Sequence, residues 1–214
     1  VSLTLHGYWR STTAYRVRIA LALKGVAYER VAHDLRTGAQ REPEYRTLNP
    51  QGLVPTLETD DAVLTQSPAI LEWIDEVYPD PPLLPVGAND RAIVRAIAAT
   101  IACDIHPVNN LRILNALRTE FGADEAAVNR WIVRWIGDGF AALETLIARH
   151  GDGFAFGPTP TIADCHLVPQ VYSAERFAVD LSPYPHLMSA ADKARALPAF
   201  AAAHPDRQPD ADRA

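Results

Sequence analysis

Apolar and polar residues alternate through Leu3-Thr4-Leu5-His6-Gly7-Tyr8, the period-two pattern of a half-buried strand. The period then changes. Val17, Ala20, Leu21 and Leu23 recur at helical spacing, which predicts a helix that opens beside Ser11, Thr12 and Thr13 and stops at Gly25. A second strand is expected from Tyr28 to Val31, parallel to the first because strand-helix-strand crossovers are right-handed. Val54-Pro55 precedes a third strand, Thr56 to Glu58, and a proline there implies an edge, a bulge or a cis peptide. After a turn at Asp60-Asp61 come a short strand, Ala62 to Thr65, and a helix starting at Ser67-Pro68, with the hydroxyl as cap and proline in the first turn.

Strand patterns stop at the proline-rich stretch Tyr78 to Pro85, and helical runs begin. The expected division is a first domain over 1–80, a linker over 81–88 and an all-helical domain over 89–214. Val94, Ile97, Ile101, Ile105 and Val108 form one apolar stripe, and Trp131, Trp135, Phe140, Leu143 and Leu146 a second, both expected to face the core. Thr161-Ile162-Ala163-Asp164 has the spacing of a capping box, with Asp for the usual Glu or Gln. The tail from His204 is polar and proline-bearing and reads as loosely packed.

The 214 residues are 48% hydrophobic and 21% charged, an ordinary globular balance. The net charge of -6 argues against broad nucleic-acid or anionic-membrane binding. No apolar run reaches the roughly 18 residues of a membrane span, and no signal-peptide pattern opens the chain, so a cytoplasmic location is expected. Cys103 and Cys165 form neither a CxxC pair nor a zinc-ligand spacing, and both are expected to be buried, reduced thiols. Any sulfur chemistry would use a thiol brought in from outside.

The helix mouth at Ser11 suits such a thiol. Backbone N–H groups in a helix's first turn lack internal partners and, with the macrodipole, attract negative charge. A free thiol with a pKa of about 8.5 needs stabilising as the thiolate to be nucleophilic at neutral pH. Spacing alone leaves open whether Ser11, Thr12 and Thr13 serve an anion or only cap the helix.

The strings SxxxxRVRIALxLKG, NPxGxVPxL and QSxAIxEW, followed by TPTIADCHLVPQVYSAERFAVDLSPYP and the closing HPDRQPD, resemble the zeta class of cytosolic glutathione transferases over essentially the whole chain. The resemblance implies an α/β thioredoxin-like N-terminal domain that binds glutathione and an all-α C-terminal domain that contributes the second-substrate pocket. The class includes maleylacetoacetate and maleylpyruvate isomerases, and a homodimer is expected from it. Its implied chemistry is cis-trans isomerisation of a maleyl keto-diacid in aromatic catabolism. Glutathione is the cofactor and a small dicarboxylate the substrate.

By this resemblance Ser11 is the thiolate-stabilising residue. Thr13 stands where the class commonly has cysteine and Ala14 where it has serine; a threonine can still donate to sulfur. Gln66 and Ser67 would hold the γ-glutamyl carboxylate, Val54 would pair its backbone with the cysteinyl unit, and Gln51 and Asn110 would approach glutathione. Arg10, Arg112 and Arg176 are candidates for gripping substrate carboxylates, since a guanidinium matches a carboxylate with two parallel hydrogen bonds. His106 either orients substrate and relays a proton or is structural; on an unbroken helix it would share a face with Asn110. The basic residue at Arg112 departs from many maleylacetoacetate-type members, which favours the shorter diacid, maleylpyruvate, with fumarylpyruvate as product. Maleylacetoacetate, conjugation or dehalogenation of small haloacids, and a non-enzymatic partner-binding module are the alternatives.

Overall fold

The computed structural model describes residues 2–212. The chain divides into two compact units: residues up to Leu83 together with those from Ala196 onward, and Leu84–Arg195.

In the first unit β1 (Thr4–Gly7), α1 (Thr12–Leu23) and β2 (Glu29–Ala32) are followed by a short α2 (Pro43–Leu48), β3 (Thr56–Glu58), β4 (Val63–Thr65) and α3 (Ser67–Val77). The sheet order is β2-β1-β3-β4, with β1 and β2 parallel and the other pairs antiparallel. β3 is therefore interior, and of the three meanings of a proline at its lip the structure selects the cis peptide, Val54-Pro55. Helix α1 stops where the pattern predicts, with Gly25 at φ 65° and its N–H on the Ala22 carbonyl. Its residues are buried almost all round, including Arg16 and Arg18, and it packs on α3. The expected solvent face of β1 is covered at His6, whose Nε2 lies 2.5 Å from Glu58 Oε1 and Nδ1 2.9 Å from His33 Nε2. Burial pushes the His33 imidazole below its ordinary pKa, and His6 beside it acts in the same direction.

The second unit is helical: α4 (Ala88–Ala99), a π turn (Thr100–Ile105), a 3-10 turn (Pro107–Asn109), α5 (Leu111–Thr119), α6 (Glu125–His150), α7 (Ile162–Arg176) and α8 (Pro185–Arg195). Val94, Ile97, Ile101 and Ile105 are fully buried, as expected, and Val108 is half-buried. On α6 the buried line is Val128, Ile132, Ile136, Phe140, Leu143 and Ile147, so Trp131, Trp135 and Leu146 sit at its border. The tryptophans pulled the reading off axis because they are amphipathic: Trp131 Nε1 donates to the Val108 carbonyl at 2.9 Å. The capping box is present as read, opening α7. Cys165 is buried, but Cys103 is exposed, on the outward side of the π turn, which corrects the expectation of two buried thiols.

Gly139 permits α6 to approach that π turn, because a Cβ there would overlap Cγ1 and Cδ1 of the buried Ile105. Gly139→Ala is expected to cost about 1–3 kcal/mol through overpacking, more than the helix preference of alanine returns. Thermal unfolding checks this; a melting temperature equal to or above wild type would contradict it.

The C-terminal segment belongs with the first unit, not with the helices of 89–195, and it is tied down by side-chain hydrogen bonds. Helix α9 (Pro198–Ala203) lies against α1. Arg18, buried and lowered to about 10 by that burial, donates from Nε to the Ala203 carbonyl at 3.0 Å and from Nη2 to the Trp9 carbonyl at 2.9 Å. Farther on, Asp210 accepts from the Trp9 N–H at 2.9 Å, Gln208 pairs with Arg30, and Asp212 meets Arg36 at 2.8 Å. Polar composition made this tail look loose, whereas its polar groups are partners for groups distant in sequence.

Candidate functional site

The first unit assembles most of the residues singled out around the start of α1. Ser11 is the N-cap, with extended backbone, and its Oγ accepts from the Ala14 N–H at 3.2 Å. The same Oγ lies 2.9 Å from Thr13 Oγ1, and Thr13 donates to the Val54 carbonyl at 3.0 Å. A threonine has one hydroxyl proton. Because that proton is on Val54, the hydrogen bond between the two hydroxyls runs from Ser11 to Thr13. Ser11 thus holds a donor that rotates toward any stronger acceptor arriving at the helix mouth, while Thr13 ties the helix start to the Val54-Pro55 segment. Both hydroxyls are half-buried.

Three residues that the sequence reading passed over hold that segment in place. The Leu53 carbonyl accepts from Tyr45 Oη and Asn49 Nδ2, each at 2.7 Å, and Tyr45 Oη also meets Thr56 Oγ1 at 2.8 Å. Burial raises the Tyr45 hydroxyl above its ordinary pKa, so it stays a neutral donor. Asn49 Oδ1 accepts from the Gln51 N–H at 3.1 Å, an Asx turn that the Asn-Pro dipeptide could have signalled.

At the other side of this loop Gln66 Nε2 donates to Gln51 Oε1 at 2.6 Å. Gln66, not Ser67, is the cap of α3, and it sits at φ 68° and ψ 110°. A non-glycine residue there costs about 1–3 kcal/mol, and such strain concentrates at functional positions. Ser67 follows in the first turn, buried, and its Oγ accepts from Arg16 Nη1 at 3.2 Å. Arg10 is half-buried, with its guanidinium carbon 5.4 Å from the centroid of the Trp9 ring.

The remaining four candidates are in the second unit. Asn110 caps α5, its Oδ1 accepting from the Arg112 N–H at 3.1 Å, which leaves its amide N–H groups as donors. Arg112 is exposed. Arg176, also exposed, ends α7 with its guanidinium over the rings of Tyr172 and Phe177 at 5.7 and 5.5 Å. His106 and Asn110 do not share a helical face. The π turn ends at Ile105, Pro107 opens a 3-10 turn, and Asn110 is extended at ψ 146°. Proline, lacking an N–H, ends the i to i−4 ladder on which the face argument relied.

The family described as Glutathione S-transferase, N-terminal domain, matches residues 10–77, a span that contains Ser11, Thr13, Val54, Gln66 and Ser67. A maleylpyruvate isomerase from a Ralstonia species is 53% identical over 97% of this chain and 99% of its own length. The chain belongs to the zeta class of glutathione transferases. A solved holo structure of a maleyl pyruvate isomerase, described as a bacterial glutathione-S-transferase in zeta class, superposes with a TM-score of 0.96 at 52% identity, covering 98% of this chain and 100% of that one. The maleylacetoacetate isomerase of Anaeromyxobacter dehalogenans 2CP-1, solved with dicarboxyethyl glutathione and citrate in its active site, gives a TM-score of 0.89 at 44% identity, covering 99% and 98%. The thioredoxin-like half of a zeta-class chain is thus present from strand order to helix mouth, with Thr13 supplying a hydroxyl. Among the described residues no helix is long and apolar enough to cross a membrane.

Proposed function

We propose that this chain is a glutathione-dependent isomerase that converts maleylpyruvate to fumarylpyruvate. The observation that carries the reading is the hydroxyl chain from Ser11 through Thr13 to Val54 at the mouth of α1, standing in a zeta-class sequence 53% identical to a maleylpyruvate isomerase.

The donor set fits glutathione, which has two carboxylates, an amine and a thiol. Ser11 and the first turn of α1 suit a thiolate. Gln66 and Ser67, at the first turn of α3, suit the γ-glutamyl carboxylate; Gln51 suits the glycyl end, Val54 the cysteinyl backbone, and Asn110 a further polar contact. When bound, glutathione supplies a nucleophilic sulfur that adds to the conjugated cis double bond and leaves again after rotation. Ser11 turns its proton from Thr13 to that sulfur and keeps it anionic. Arg10, Arg112 and Arg176 hold substrate carboxylates, and His106 orients the substrate or its proton. Arginine and neighbouring donors stabilise negative charge developing on the carbonyl oxygen. The chain acts in the cytoplasm as a homodimer; sedimentation at micromolar concentration tests the latter, with a monomer counting against it.

Thr13→Val keeps the side-chain shape but removes both hydrogen bonds, and is expected to lower turnover about 5- to 10-fold, with Thr13→Ser near wild type. Equal turnover for Val and Ser variants would remove Thr13 from the site. Substrate choice is tested by kcat/KM for maleylpyruvate and for maleylacetoacetate, which differ by one methylene, a difference a fitted pocket reads as about 10-fold or more. Maleylpyruvate is expected to win. The reverse ranking would reassign the substrate, and chloride release from an α-haloacid without isomerisation would overturn the reaction type.

A further inference from the structure

Arg16 is 1% exposed, although arginine is among the residues least often fully buried. It lies on α1 five residues after the cap, and α1 packs against α3. Its Nη1 donates to Ser67 Oγ at 3.2 Å. A guanidinium has donors only, so at this contact Ser67 is the acceptor and its single proton points elsewhere. Among the described residues no hydrogen bond takes that proton, although Ser67 is itself 3% exposed. A buried hydroxyl with an unused donor implies a partner that arrives from outside. The preceding residue, Gln66, holds a strained backbone at φ 68° that sets the start of α3.

Resting on the reading that Gln66 and Ser67 receive the γ-glutamyl carboxylate, we infer that Arg16 is the positioning residue of that subsite: from behind Ser67 it fixes the hydroxyl as an outward donor and supplies buried positive charge. Arg16 acts through Ser67 and does not touch the ligand. Its charge strengthens the Ser67 hydroxyl as a donor, since a hydroxyl that accepts from a cation is polarised toward giving up its own proton. The subsite thus favours a carboxylate, whose two oxygens both accept and whose charge is opposite to that of Arg16, over a neutral amide, which keeps one accepting oxygen and no charge.

The test compares binding of glutathione with that of glutathione amidated at the γ-glutamyl α-carboxylate, by calorimetric titration of the full chain. Wild type should prefer glutathione. In Arg16→Gln the preference should fall about 10-fold or more, through weaker glutathione binding with the amide little changed. Ser67→Ala should lower it similarly, and the double variant should add little. Arg16→Lys, which keeps charge and a donor, should restore part of the preference, and it undergoes the same titrations should the Gln variant not fold. Equal losses for the two ligands in the Arg16 variants, or an unchanged preference, would overturn the inference while leaving the functional reading intact. Failure of wild type to bind glutathione would overturn both, and is visible before any variant is made.

Discussion

Ser11→Ala is expected to lower maleylpyruvate turnover by about 100- to 1000-fold, the scale of losing one preorganised donor to a reacting anion. The loss follows from geometry: Thr13 gives its hydroxyl proton to the Val54 carbonyl, whereas the Ser11 proton rests on the Thr13 hydroxyl and is free to turn to an arriving sulfur. Without it the bound thiol moves back toward its free pKa of about 8.5, so less thiolate is present at neutral pH. The deficit should therefore narrow as pH rises from about 7 to 9. Ser11 also caps α1, and losing a cap costs about 1 kcal/mol. Ser11→Gly separates the two effects, because glycine keeps most of the capping stability while lacking the hydroxyl. Steady-state rates across pH for both variants check the account. A pH-independent deficit, or activity restored by glycine, would contradict the assigned role.

Asp164→Ala is expected to lower stability by about 3–5 kcal/mol, roughly 10 °C in melting temperature, with little change in KM. Asp164 is wholly buried and accepts from the Ala155 N–H and the Thr161 N–H, each at 2.8 Å, and from the Thr161 hydroxyl at 3.1 Å. Alanine leaves those donors without an acceptor inside the protein. Burial outweighs the hydrogen bonds and raises the carboxyl to about 6 from an ordinary 3.8. The folded state then binds the proton more tightly than the unfolded state. This residue's titration contributes most stability below the unfolded value, and the contribution is lost as pH rises through 6. Thermal melts of wild type and variant between pH 5 and 8 should show a gap that widens toward acid. A gap that closes toward acid, or a variant that loses glutathione affinity at unchanged stability, would contradict a purely structural role.

What could be read from the sequence was what short-range chemistry decides. The change of period at Tyr8, the hydroxyl cap at Ser11, Gly25 at positive φ and the proline steps at Pro55 and Pro68 each have local causes, and the elements they predict are present within a residue or two. The tail was illegible because its packing depends on Trp9, Arg18, Arg30 and Arg36, far away in the chain. The His106 to Asn110 spacing misled for a different reason: it assumed a regular helix, and Pro107 follows a π turn. At the α1 mouth the residue types were legible but the direction of their hydrogen bonds was not, since Val54 reaches Thr13 only once the loop is closed by Tyr45 and Asn49. Arg16, inside an apolar helical run, carried no signal of its contact with Ser67.

The most direct test of the central claim is conversion of a large excess of maleylpyruvate by purified protein with and without glutathione, following loss of the cis-enone absorbance, the fumaryl product and the free thiol together. Complete conversion that requires glutathione and leaves its thiol unconsumed is the expected result. No conversion despite measured glutathione binding, or loss of one thiol for each substrate consumed, would contradict it.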